Sequence, residues 1–169
     1  LDLGDVLIAA ADADPVVMVH GNPSWSYYWR HLISGLSDSY RCIAPDHIGM
    51  GLSDKPDDSQ YEYILQSRVD DLDKLIASLG LARKITLVVH DWGGMIGFGW
   101  ALKHASRVKR LIILNTGAFP LPAAKPLPWQ LNLGRNWALG EWLIRGANAF
   151  ASGAATDGVV NKLDPAVKR

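Results

Sequence analysis

Apolar residues along this chain follow two periods. Short, nearly unbroken runs occur at Val16-Val17-Met18-Val19, Arg41-Cys42-Ile43-Ala44, Ile85-Thr86-Leu87-Val88-Val89 and Leu111-Ile112-Ile113-Leu114. Runs of this length, rich in β-branched residues, suit strands buried on both faces. Between them lie stretches of helical period. From Tyr61 to Leu79, the residues Leu65, Val69, Leu72, Ile76 and Leu79 recur at threefold and fourfold spacing. That is one apolar stripe, and Gly80 follows where helices commonly end. Ser26–Leu36 is expected to be helical with Tyr28, Leu32 and Leu36 on one face, and Met95–Lys103 to be a further helix. Residues 5–10 read as a strand remnant with Asp12–Asp14 as its turn, and residues 49–60 as loop. Strands alternating with helices predict an α/β fold with a mostly parallel sheet and right-handed crossovers.

After Phe119 the pattern changes. Pro120, Pro122, Pro126 and Pro128 make a stiff linker. Trp129, Leu133, Trp137, Leu139, Trp142, Leu143 and Phe150 then stand among glycines and alanines. These read as the first helices of an α-helical cap, whose aromatics either wall an apolar pocket or pack the cap against the sheet.

Composition narrows the function classes. The 17 basic and 17 acidic residues cancel with no basic stripe, so neither nucleic acid nor an anionic membrane is an expected partner. No uncharged apolar run approaches a membrane span. The single cysteine, Cys42, excludes an internal disulfide and fits a reducing, cytoplasmic compartment. It lies in an apolar run, so it reads as core packing. No His, Cys, Asp and Glu cluster has metal-ligand spacing, and no GxGxxG or GKS/T loop occurs. No cofactor is expected.

The candidate chemistry sits at strand ends. His90-Asp91-Trp92-Gly93-Gly94 follows one strand and opens a helix, the setting of a nucleophile elbow. An acidic residue in a turn ordinarily serves as a turn former or helix cap. Here the flanking strand and glycine pair favour a nucleophile. A carboxylate attacks an sp³ carbon bearing a leaving group and forms an ester. Another strand ends in His20-Gly21-Asn22-Pro23-Ser24-Trp25, and a third leads into Pro45-Asp46-His47-Ile48-Gly49-Met50-Gly51. Ligands of open parallel sheets collect at such ends, so Asn22 and Asp91 are expected to face one pocket. Asn22 otherwise makes an Asx turn, and Trp92 otherwise fills the core. Its indole N–H is a donor only, suited to an anion. His20 and His90 are expected to brace the turns by hydrogen bonds.

The motifs HGNPSW, PDHIGMGLSDKP and VVHDWGG, in this order and spacing, resemble the α/β-hydrolase superfamily and its haloalkane dehalogenase branch, from about Pro15 to Phe119. The wording HGNPSWSYYWR, SRVDDLDKL, LVVHDWGGMIG and LNTGAFPLP is most similar to the β-lactone decarboxylases of bacterial long-chain olefin biosynthesis. The resemblance implies Asp91 as nucleophile, Asn22 and Trp92 as donors to the leaving anion, and an apolar substrate. It also implies assembly with other olefin-biosynthesis enzymes. It implies a triad acid and a base histidine as well. The only histidine after Asp91 is His104, at the end of the elbow helix, and Asn115-Thr116-Gly117 stands where some dehalogenases carry the acid. Both are therefore expected beyond Arg169. Residues 1–119 are expected to be the N-terminal part of the hydrolase core and residues 120–169 the start of a helical cap. The alternatives are a hydrolytic haloalkane dehalogenase, an epoxide hydrolase, a related luciferase-type oxygenase, and a truncated fragment that binds without turnover.

Overall fold

The computed structural model describes residues 12–118, 140, 142–157 and 164. The strand remnant at 5–10, the proline linker and Trp129, Leu133, Trp137 and Leu139 lie outside them. The chain divides into two compact units, Leu1–Ala118 and Phe119–Arg169.

The first unit carries β1 (Asp14–Val19), a 3-10 turn (Ser26–Trp29), α1 (Arg30–Leu36), β2 (Tyr40–Ile43), α2 (Leu65–Ser78), β3 (Ile85–His90), α3 (Trp92–Lys103), a second 3-10 turn (Ala105–Arg107) and β4 (Val108–Leu114). The strands form one sheet in the order β2-β1-β3-β4, and every pairing is parallel. The chain leaves β1 for β2 on one side and returns to β3 on the other. The carboxyl ends of β1 and β3 therefore flank the point where strand order reverses, the usual ligand crevice of an open α/β sheet.

Side chains alternate across the sheet, as a pleat requires. Val17, Val19, Leu87 and Val89 pack with Val69, Leu72 and Ile76 of α2 and Ile96 and Trp100 of α3. Val16, Met18, Cys42 and Val88 pack on the other face with Trp29. Cys42 is fully buried, and that burial raises its thiol pKa, in keeping with packing rather than reactivity.

Two helices differ from the pattern reading. In α1 the face against the sheet is Trp29, Ile33 and Leu36, while Tyr28 and Leu32 are exposed. The first turn is 3-10, so the angular step per residue is larger and the stripe shifts by one position. Helix α2 begins at Leu65, not Tyr61. The two tyrosines dock the preceding loop instead: Tyr61 Oη donates to Asp71 Oδ2 at 2.6 Å, Tyr63 Oη donates to the Pro56 carbonyl at 2.5 Å, and the Arg68 guanidinium lies over both rings.

In the second unit, a π-helical turn (Trp142–Gly146) precedes α4 (Ala149–Asp157). Among the described residues, no helix is long and apolar enough to cross a membrane.

Candidate active site

Asp91 occupies the turn between β3 and α3 at φ 52° and ψ −128°. A non-glycine residue in such a region costs about 1–3 kcal/mol and is held there by its surroundings. Three hydrogen bonds hold its backbone. The Asp91 N–H donates to the Asn115 carbonyl at 3.3 Å and the Gly94 N–H donates to the Asp91 carbonyl at 3.0 Å. The Thr116 hydroxyl donates to that same carbonyl at 2.5 Å. Asn115-Thr116, which supplies no acid, thus clamps the elbow from the end of β4.

Two glycines make room for the turn. A Cβ on Gly93 would lie 2.1 Å from the Val19 carbonyl oxygen and 2.6 Å from that of His20. Only a bare backbone lets the start of α3 seat on the end of β1. A Cβ on Gly21 would lie 2.4 Å from Asp91 Oδ1, so that position is open to the carboxylate.

The Asp91 side chain makes no capping hydrogen bond to α3. Its Oδ1 instead accepts the main-chain N–H of Asn22 at 2.8 Å. The two residues meet, and the atom that meets the carboxylate is the backbone N–H of Asn22. The register explains the meeting: Val19 lies beside Val89, so the two turns leave the sheet at one level. The Asn22 side chain is exposed. Trp92 is 47% exposed at the first turn of α3.

The β1 turn rests on buried polar groups. His20 is fully buried; its Nδ1 lies 2.8 Å from the Gly21 carbonyl, and its Nε2 accepts the His47 N–H at 3.1 Å. His47 Nε2 lies 3.0 Å from the His20 carbonyl. Burial lowers the pKa of both imidazoles, His47 to about 3, so both are neutral. Asp46, 1% exposed, accepts the Ser26 N–H at 2.6 Å and the Leu52 N–H at 2.8 Å. Sequence reading gave His20 a bracing role, which its bonds support, but overlooked His47 and Ser24. Their signal was histidine and serine placed at the ends of buried strands.

His90 departs from expectation. Its Nδ1 is buried with no hydrogen-bond partner, and the ring is held by stacking, 4.6 Å from Tyr28 and edge-on to Trp29 at 6.5 Å. His104 is half-buried, stacked on Trp100 with its Nε2 2.7 Å from Asp73 Oδ1. The twelve residues of α3 put it roughly 18 Å along the helix from Asp91, out of reach as its base. No group of three or more metal-ligating side chains occurs among the described residues.

Residues 14–154 match the family model for the alpha/beta hydrolase fold. The chain is 65% identical over 164 residues to a cis-3-alkyl-4-alkyloxetan-2-one decarboxylase of Xanthomonas campestris, covering 94% of this chain and 55% of that protein. It is 60% identical to a protein of the same name from Shewanella oneidensis, covering 90% and 48%. A haloalkane dehalogenase of Mycolicibacterium smegmatis is 36% identical, with coverage of 92% and 51%. Among solved structures, the haloalkane dehalogenase DatA of Agrobacterium tumefaciens superposes with a TM-score of 0.82 at 27% identity, over 98% of this chain and 60% of that one. The chain spans about half the length of the curated relatives it matches. With a parallel sheet, an acidic elbow and a donor turn at its switch point, this chain belongs to the α/β-hydrolase fold family.

Proposed function

We propose that the protein as encoded, with whatever sequence follows Arg169, is a β-lactone decarboxylase. It converts a cis-3-alkyl-4-alkyl-oxetan-2-one into a long-chain cis-alkene and CO2, with Asp91 as nucleophile. One observation carries the chemistry: the Asp91 carboxylate is held at a strained elbow, does not cap its helix, and meets a backbone N–H at 2.8 Å. The substrate class is supported by the names of the relatives at 65% and 60% identity.

The reaction balances in two steps. An Asp91 oxygen bonds the ring carbon that bears the ring oxygen. The strained C–O bond breaks, and its electron pair leaves on the new substrate carboxylate. The C–C bond to that carboxylate then breaks and its electron pair forms the alkene. CO2 departs, and Asp91 is released as a carboxylate. No water is consumed. The Asn22 side-chain amide and the Trp92 indole N–H supply neutral donors to the substrate carboxylate as its charge develops, while the Asn22 backbone N–H faces Asp91. The triad acid and base histidine are assigned to sequence past Arg169. Residues 1–119 are the first part of the core and 120–169 the start of a helical cap. The setting is cytoplasmic, in assembly with other enzymes of olefin biosynthesis.

The dehalogenase relatives support a second reading. There Asp91 displaces halide, and an activated water splits the ester to give an alcohol. In a third reading the chain binds apolar ligands and carries out neither step.

Asp91→Ala is expected to abolish turnover without loss of fold. A cis-dialkyl β-lactone should give alkene, while terminal haloalkanes give negligible halide. Mass spectrometry after turnover in 18O-water separates the two courses: the lactone course leaves Asp91 unlabelled, whereas ester hydrolysis places 18O in its carboxylate. Halide release with no alkene overturns the lactone reading, and full activity of Asp91→Ala overturns the nucleophile.

A further inference from the structure

We infer that His20 is a positioning residue that strengthens the Asn22 N–H as a donor to Asp91, through the peptide that joins Gly21 to Asn22. This rests on the reading of Asp91 as nucleophile. The Gly21 carbonyl and the Asn22 N–H are the two ends of one peptide group. The N–H end faces Asp91 Oδ1 at 2.8 Å. The carbonyl end collects three contacts: His20 Nδ1 at 2.8 Å, the Ser24 hydroxyl at 3.0 Å and the Ser24 N–H at 3.2 Å.

The tautomer follows from the partners. His20 Nε2 accepts the His47 N–H, so it carries no hydrogen. In a neutral ring the hydrogen is then on Nδ1, which donates to the Gly21 carbonyl. The bonds form one directed chain. The His47 N–H donates to His20, His20 donates to the Gly21 carbonyl, and the Asn22 N–H of the same peptide donates to Asp91. Bonds aligned head to tail in a low-dielectric interior polarise one another. Donors on a carbonyl draw electron density from its amide nitrogen, so the N–H becomes a stronger donor.

His47 closes the arrangement. Its Nε2 lies 3.0 Å from the His20 carbonyl, so the peptides on both sides of Gly21 are pinned by imidazoles. The two rings lie 4.2 Å apart. Asp46 Oδ1 is 3.9 Å from His20 Nε2, close enough to favour a stray proton there, but burial outweighs it and keeps the ring neutral. The donor that meets the carboxylate is thus set from beneath the turn, by groups that never touch substrate. As the C–C bond breaks and Asp91 is released, negative charge returns to the carboxylate that this N–H faces. A donor fixed in advance there lowers the barrier to that second step without reorganisation.

The test uses the encoded protein with His20→Leu, His20→Asn and Ser24→Ala. Asparagine keeps an N–H donor near the place of Nδ1; leucine keeps none. For His20→Leu, kcat is expected to fall about 10- to 100-fold with KM changed less than about threefold, and the Asn22 amide proton to shift upfield in NMR. His20→Asn should restore most of both. Ser24→Ala, in a turn that tolerates the change, should lower kcat about two- to fivefold and move the amide in the same direction. It carries the test should His20→Leu fail to fold. Wild-type kcat and an unmoved Asn22 amide in Ser24→Ala overturn the inference, as does equal loss in folded His20→Leu and His20→Asn. Should the wild type give an Asp91 ester from a haloalkane and none from a lactone, the substrate reading fails. The rate of that ester's hydrolysis, in which negative charge develops on the oxygen facing the Asn22 N–H, then replaces kcat, and the amide shift needs no substrate.

Discussion

The two turns that meet at the sheet's switch point are built by opposite means. The elbow after β3 is placed by what is missing. Gly93 has no side chain, and the start of α3 comes down on the Val19 and His20 carbonyls. The turn after β1 is placed by what is present: two buried imidazoles, a buried carboxylate and a serine hydroxyl that satisfy its backbone. A nucleophile needs a rigid, strained perch and open space ahead of it. A backbone donor needs its peptide plane fixed, which hydrogen bonds from below achieve. The first device fails by steric insertion and the second by protonation or truncation, so the two can be broken separately.

The largest effect is expected at Gly93. Its obstacles are the carbonyl groups of the buried Val19 and His20, which cannot swing aside as a side chain can. Gly93→Ala is expected to cost about 3 kcal/mol or more, read as a lower denaturant midpoint at unchanged m-value. Stability within about 0.5 kcal/mol of the parent contradicts the steric account of the elbow.

Acid breaks the other turn. His20 and His47 have folded-state pKa values depressed below 6.5, His47 to about 3, chiefly by desolvation. A depressed value means that the unfolded chain binds protons first as pH falls. The stability contributed by the neutral pair is complete above about pH 6.5 and is lost as pH drops below it, toward about 3 for His47, by up to ~1.4 kcal/mol per unit for each histidine while only its unfolded form is protonated. Arg68 opposes protonation of both rings and Asp46 favours it on His20. The lowered carboxylates Asp14, Asp57 and Asp70 start from 3.8, so the upper part of this window belongs to the histidines. His47→Gln keeps a donor where Nε2 was and cannot titrate. Its stability should vary less than the wild type's between pH 6.5 and 4.5; parallel curves count against the imidazole account.

The contrast also explains what could be read in the sequence. The elbow was legible because its cause is local: a strand, an acidic residue and two glycines stand together. The parallel sheet was legible too, because four apolar runs alternate with helical stretches. The network under the β1 turn was not, since His20 and His47 lie 27 residues apart and only the pairing of β1 with β2 brings them together. The start of α2 was missed because Tyr61 and Tyr63 continue a plausible helical stretch, yet their hydroxyls bond Asp71 and Pro56. The buried face of α1 was missed because a 3-10 turn changes the period. β3 and β4 look alike in sequence, but β3 is covered on both sides. β4 pairs on one side only among the described strands, which leaves Leu111, Ile112, Ile113 and Leu114 38–54% exposed.

The smallest effect sharpens the comparison within a single pair of residues. Gly94 stands beside Gly93, and its added Cβ would lie 1.9 Å from Thr116 Oγ1 and 2.7 Å from Thr116 Cβ and Cγ2. By distance this clash is the worse of the two. By kind it is milder, because the obstacle is one side chain on the loop after β4. Thr116 can rotate, at the loss of its hydrogen bond to the Asp91 carbonyl, and alanine regains up to about 1 kcal/mol of helix propensity over glycine. Gly94→Ala is therefore expected to cost only about 1 kcal/mol, well below Gly93→Ala. A double-mutant cycle isolates the reason. In a Thr116→Ala background the hydroxyl and methyl are gone, so Gly94→Ala should cost less than in the wild type, with a coupling energy of about 0.5–1 kcal/mol. If the two changes prove additive while Gly94→Ala costs as much as Gly93→Ala, the elbow is gripped by backbone at both glycines. Thr116 is then no adjustable clamp.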